Sequence, residues 1–369
     1  NTSTATTAEN AVALGFKAQA NGTDTIAIGT QAKAIGNTSN TIVIGNTSTS
    51  TDNKGSLIFG NGNTSSGNTE IVQIGSGNTS DTSRSVASIG GLNRTTSSVA
   101  SSIIGINNSL TASSNSSITG INNNVAGSIA INVSGVNNNI TSSTNNSIIG
   151  NNNTLTSGTN NIIAGFDNKL GSGLNQTQVL GSQITIDKDV AYAIAVGSGS
   201  KVTQNGAVTL GANAVASQIG SVAIGANSVA STASDIDGYE PLYATQAQKN
   251  ALSLTKSTAS AVSVGDASNG LYRQITGVAA GTTDSDAVNV AQLKAIATST
   301  ASDGLNFAGN QGSTVHRNLG DRLSIVGAAV NPVNTITYDA STVATASNYS
   351  AKNVQTVTDG KGNMQIQFA

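Results

Sequence analysis

The chain has 369 residues, a net charge of −2, and only 9% charged and 3% aromatic side chains, with no Trp and no Cys. Ordinary globular domains of that length lean on large side chains that bury about 150–250 Å² each, and nucleic-acid binding needs clustered Lys or Arg; no basic patch forms, and no charged side chain occurs between Arg94 and Asp167. Disorder is excluded by the regular apolar spacing, no apolar run approaches the roughly 20 residues that span a bilayer, and no signal-peptide pattern opens the chain.

The sequence therefore reads as a soluble chain or as a piece of a longer exported protein. Short apolar strands ending in Gly recur from the start, as AVALG, IAIG, IVIG and LIFG at Gly15, Gly29, Gly45 and Gly60. The series continues to Gly225 with gaps of 14 and 16, then eight of 15, then 16, 16, 14 and 14. Stacking these segments aligns three more ladders. Ile103, Ile118, Val133, Ile148 and Ile163 precede the Gly by two residues; Leu110, Val125, Ile140, Leu155 and Leu170 follow it by five; Asn63 to Asn168 follow it by three.

Two apolar rungs per coil predict two short strands joined by Gly/Asn turns, with the Gly supplying positive φ at the corner. A coil advancing by one strand spacing of about 4.8 Å places like over like, and some fifteen coils make a rod of roughly 70 Å. The Asn column is expected to form an amide ladder, each side chain bonding its copy one coil away. Two aliphatic side chains per coil make a thin core, which points to several chains sharing one.

Residues 25–46, TIAIGTQAKAIGNTSNTIVIGN, and 207–230, AVTLGANAVASQIGSVAIGANSVA, resemble the head repeat of the Yersinia-adhesin-like trimeric autotransporters, a VAIG-type strand followed by A-x-A. The resemblance implies an all-β fold: a left-handed parallel β-roll, or solenoid, of 14–16-residue coils, packed as an obligate homotrimer. Residues 46–190 depart from the usual repeat, with weak A-x-A and Asn-rich turns such as INN and GNNN.

Further along, residues 234–260 break the register, hold Pro241, and read as an inserted loop or short helix beside the neck. DSDAVNVAQLKAI, at 284–296, resembles the family's neck, where the rolls gather into a narrow coiled coil. Val290, Leu293 and Ile296 lie close to one helical face, and Asp284 and Asp286 sit near the helix start, where the dipole favours anions. The last stretch, with TDGKGN as a hairpin turn, resembles the family's small interleaved β-prisms. Together these give a head roll over 1–230, insertion and lead-in over 231–283, neck over 284–300 and β-prism over 301–369.

Chemistry is sparse. His316 is the sole histidine and has no second His or Cys with which to hold a metal; His316, Arg317, Asp321 and Arg322 read as an interchain polar network. GNGNTSSG at Gly60 and GSGSK at Gly197 do not complete a phosphate loop. Asp187, Asp189, Asp235, Asp237 and Glu240 read as solvated surface, and the N-x-[ST] triplets, such as the one at Asn46, are expected by chance in so Asn-rich a chain. No catalytic, cofactor or metal site is assigned, and the ligand-binding residues are unknown. The expected function is non-enzymatic: a surface-exposed adhesin segment attaching to host matrix proteins, other cells or abiotic surfaces, with no nucleic-acid partner. The resemblance places it on the bacterial surface, anchored in the outer membrane through a C-terminal part outside this chain. The alternatives are a structural spacer presenting a distal tip and an ice-binding solenoid, which needs a flat row of Thr at fixed coil positions; in the sequence the fixed polar row is Asn, and Thr wanders.

Overall fold

The computed structural model describes residues 4–5, 8–309, 311–327, 354–359 and 363–368. Its packing divides the chain into two units, Asn1–Arg273 and Gln274–Ala369.

Among the described residues, the first unit is built on two 16-stranded parallel sheets, each strand pairing with its counterparts one coil before and one coil after. One sheet carries the strands that hold the repeated Gly, such as Val99–Ile106 and Thr144–Asn151. The other carries the short strands that follow, such as Ser109–Thr111 and Thr154–Thr156. The register matches the ladders: Ile103 pairs with Ile118, Gly105 with Gly120 and Leu110 with Val125. Ile103, Ile118, Val133 and Ile148 are fully buried from one side, and Leu110, Val125 and Ile140 from the other. A β-solenoid therefore forms, and both apolar columns lie inside it.

The corners differ from expectation. From Gly60 to Gly165 the repeated Gly lies within a strand, whereas Gly29, Gly211 and the others fall at a bend just past one; Gly105 sits inside Val99–Ile106 with φ +137, and a Cβ there would collide with the carbonyl oxygen of Gly120. These positions are Gly because consecutive coils approach too closely for a side chain. In these coils the turning is done elsewhere, by left-handed residues. In the coil that follows Gly105 these are Asn107 (φ 55), Ala112 (φ 47) and Asn115 (φ 52). Asn tolerates this region better than most residues because its short polar side chain can bond locally.

Each left-handed residue turns the next side chain inward. Asn108, Ser113 and Ser116 are all buried, and their backbone N–H groups cannot continue the ladder at the bend. Those N–H groups donate instead to the side chain one coil earlier: Asn108 N to Asn93 Oδ1 at 3.1 Å, Ser113 N to Ser98 Oγ at 3.4 Å, and Ser116 N to Ser101 Oγ at 3.1 Å. The polar columns inside the roll thus satisfy backbone groups that would otherwise be buried without a partner. Where the coil has only A-x-A, the turn closes on itself, as from Ala32 N to Gly29 O at 3.4 Å. That needs no inward amide, so these coils enclose small side chains, chiefly Ala such as Ala32, Ala34, Ala214 and Ala216, with Ser200, Ser221 and Ser228 beside them.

The insertion interrupts the roll itself. The chain leaves after Val229–Ala230, forms helix α1 (Gln246–Leu254), and returns as Val262–Ser263, pairing in parallel with Val222 and Ala223. Helix α1 starts at Thr245 with a capping box to Gln248 and buries no residue.

In the second unit, helix α2 (Val290–Asp303) begins at Asn289, whose side chain accepts from Gln292 N. Asp286, expected near the helix start, lies upstream of this cap and accepts from Thr282 N (2.8 Å) and Thr283 N (3.1 Å). Gln292 fastens the lead-in, accepting from Gly281 N at 3.0 Å and donating to Gly281 O at 2.9 Å. Beyond α2, Leu305–Phe307 pairs antiparallel with Val315–Arg317, and Val354–Asp359 with Asn363–Phe368. The latter pair flanks the expected TDGKGN turn, whose residues 360–362 lie outside the described residues.

Candidate functional site

Strand alternation gives the roll two unlike outer faces. On the Gly-bearing sheet, the outward positions one and three residues before the Gly carry exposed apolar side chains. Leu14, Phe59, Ile104, Ile149, Leu180 and Leu210 are each about half exposed or more, and Ile42, Leu57, Ile162 and Ile194 join them. An open groove runs along Val72, Ala87, Ser102 and Ser117 on this sheet, where the side chains are small. Exposed apolar surface of this kind suits an interaction site, although Thr119, Asn132, Ser134 and Ser147 interrupt it in the middle of the roll.

The opposite sheet is hydroxyl-rich outside. Thr49, Thr64, Thr79, Ser109 and Thr154 share one column, and Thr51, Ser66, Thr96, Thr111, Thr141 and Thr156 share the next; Thr64 pairs directly with Thr79, Thr96 with Thr111 and Thr141 with Thr156. Thr thus recurs at the positions four and six residues after the Gly, while also occurring elsewhere in the coils, as at Thr82, Thr119 and Thr159. Counting from the Gly would have revealed this, but the alternation of a three-residue strand is too short to stand out. Thr141 Oγ1 donates to Thr156 Oγ1 at 3.3 Å. Arg94, Asp81, Asn124, Ala126 and Asn139 interrupt the columns, and Asn124 Nδ2 donates to Asn139 Oδ1 at 2.8 Å.

The Asn ladder is internal. Asn108 Nδ2 donates to Asn93 Oδ1 at 3.0 Å and Asn123 Nδ2 to Asn108 Oδ1 at 3.0 Å, and both amides also donate to the glycine carbonyl one coil ahead, at 2.7 Å. The sequence disclosed the ladder but not its side of the wall. The two Asn of each INN turn divide the work: Asn107 turns the chain in the open and donates to Asn122 Oδ1, while Asn108 faces inward.

The remaining candidates take structural places. His316 Nε2 meets the Ser302 carbonyl at 2.7 Å, a group near the C-terminal end of α2, and its Nδ1 meets Asn306 Oδ1 at 2.9 Å. Asp321 accepts from Asn318 N at 3.0 Å. In the insertion, Asp237 pairs with Lys256 at 3.3 Å and Glu240 pairs with Lys249. Among the described residues no three His, Cys, Asp or Glu side chains converge as metal ligands would. The Gly-rich stretch at Gly60 passes from strand Leu57–Asn61 into strand Thr64–Ser66, so no helix N-terminus faces it.

Comparison with known proteins finds matches to the parts of one family in separate segments of the chain. A family model of the coiled stalk of trimeric autotransporter adhesins matches residues 274–315, and the YadA head domain repeat matches 7–32, 191–214 and 206–228. The trimeric autotransporter adhesin AtaA of Acinetobacter sp. (strain Tol 5) is 40% identical over 151 residues, covering 36% of this chain and 4% of that protein. The autotransporter adhesin BadA of Bartonella henselae is 45% identical over 104 residues, covering 28% of this chain and 3% of that protein. The chain thus spans a few per cent of the length of either relative.

Proposed function

Since this chain belongs to the trimeric autotransporter adhesins by its head repeats and its stalk segment, we propose that it is a passenger segment displayed on a bacterial surface and that it attaches without catalysis. The observation that carries this reading is the division of the roll's exterior. The apolar columns around Ile104 and Ile149 suit burial against two further copies of the chain. The hydroxyl columns around Thr111 and Thr141 then remain outside as the adhesive face. Contact with a matrix protein, another cell or an abiotic surface is spread over many weak rungs, so avidity dominates.

Light scattering should give about three times the 36.5 kDa chain mass; a folded monomer at micromolar concentration would sink the proposal. A solid-phase panel of collagen, fibronectin, laminin and plastic should then show binding that changes little with salt, because the centre of the roll has no charges to screen. Deleting three 15-residue coils should lower binding stepwise, whereas His316→Ala should leave it unchanged. Steep salt dependence, or loss of binding in a trimeric His316→Ala chain, would refute this placement. No binding to any surface favours the spacer. The aligned Thr columns also favour a second reading, the ice-binding solenoid. Inhibition of ice recrystallisation that disappears in Thr111→Tyr/Thr141→Tyr would support it over adhesion.

A further inference from the structure

The interior of the roll changes character over a few coils. From Ile103 to Ala195 the column two residues before each Gly is aliphatic, as is the column from Leu110 onward on the other sheet. Just before them, Gln73 and Ser88 occupy the first column, and Ser65, Ser80 and Thr95 the second. Two clusters of buried apolar side chains result, one ending at Ile58 and the other starting at Ile103, with Ile71 and Val86 buried between them but part of neither. The coils between keep the 15-residue length of those that follow. Ser80, Ser88 and Thr95 stand here where later coils hold leucine or isoleucine.

Gln73 and Ser88 are both 0% exposed, and they stack on neighbouring coils as a direct register pair. Gln73 Nε2 donates to the carbonyl of Thr64 at 3.0 Å. A carbonyl can only accept, which fixes the amide orientation and sends Oε1 the other way. Neither Gln73 Oε1 nor the Ser88 hydroxyl has a hydrogen-bond partner in the protein. Leaving such groups buried and unpaired is costly. On the opposite sheet the same polar section continues, where Thr95 Oγ1 donates to Ser80 Oγ at 2.7 Å.

What satisfies this pair must donate to an amide oxygen and also bond a hydroxyl. An anion is repelled by Oε1. A cation would lack compensation, because no ionisable side chain is buried inside the roll among the described residues. A neutral donor–acceptor fits both atoms, and buried water takes this role wherever a polar site is roomy enough. We propose that the roll interior at Gln73 and Ser88 is a water-binding site, with water bridging Gln73 Oε1 and Ser88 Oγ between two dry apolar cores. The site lies within one chain's own coil, so it does not depend on how the copies pack.

The test uses the full chain in its native assembly. Water-oxygen magnetic relaxation dispersion should report at least one long-lived internal water per chain that is lost in Gln73→Ile/Ser88→Ile, the variant that extends the Ile103 column through both coils. An unchanged internal-water count in a folded variant overturns the site. Should the variant not fold, a high-resolution crystal structure of the parent decides. A solvent peak within hydrogen-bond distance of both atoms supports the site; a direct Gln73–Ser88 bond, or an ion at that place, overturns it.

Discussion

The guanidinium of Arg273 lies against Gly225, its central carbon 3.0 Å from where a Cβ on that glycine would sit. On every earlier coil that place is taken by the next coil's glycine peptide, so the arginine stands in for a missing rung. It donates to the carbonyls of Ala226 and Val264, and to Ser228 Oγ at 2.9 Å. Arg273→Ala should strip these acceptors and fray the last coil, at roughly 2 kcal/mol for hydrogen bonds to a charged group. Hydrogen exchange should accelerate at residues 222–230 and not at 103–163. Arg273→Lys should rescue little, because an ammonium lacks the planar fork.

Neighbouring asparagines should respond differently. Asn153 is buried; its amide donates to Asn138 Oδ1 (3.0 Å) and Gly165 O (2.9 Å), and it accepts from Asn168 Nδ2 (2.8 Å). Asn153→Ala leaves two or more buried groups unpaired, at about 1–3 kcal/mol each. Asn152, next to it, is exposed with φ 56, so Asn152→Gly should be nearly neutral in the same thermal melt. Ile148→Asp should be worse than either, since it places an unpaired charge in the aliphatic column.

Two glycines separate close approach from conformation. Gly127 has φ +59 and nothing nearer than 3.9 Å to an added Cβ, so Gly127→Ala should cost only the left-handed penalty of about 1–2 kcal/mol. Gly105→Ala forces two coils apart and should unfold the rolls around it. Equal melting temperatures for the two variants would contradict the strand placement of the repeated Gly.

Asp286 offers a pH test. Hydrogen bonds from the Thr282 backbone first, then the Thr283 backbone and the Thr282 hydroxyl, lower its pKa from 3.8 to about 2. A carboxylate held down in this way stabilises the turn above the ordinary value, and that contribution disappears as pH falls through about 2. The Thr282 and Thr283 amide resonances should therefore titrate near 2. A midpoint at the ordinary carboxylate value would show the turn to be open in solution.

Much of this fold was legible because Gly, Ile103 and Leu110 recur at one period, and a parallel solenoid converts period directly into contact. What escaped notice lay between the rungs. Ser113 and Ser116 face inward only because Ala112 and Asn115 turn left-handed, and nothing in Ala112 announces that. The inward side of Asn108 was hidden for a related reason, since amides are more often exposed than buried. Asp286 looked like a helix partner by proximity, yet Asn289, with Gln292 three residues on, held the stronger capping pattern.

Because each coil touches only the one before and the one after, the cross-section does not register how many coils there are. A tandem repeat in the gene that slips by one 15-residue copy would lengthen or shorten the rod by about 4.8 Å and leave every surviving wall intact. The length of the rod is then heritable in small equal increments, adjustable by copying errors with no new amino acid required.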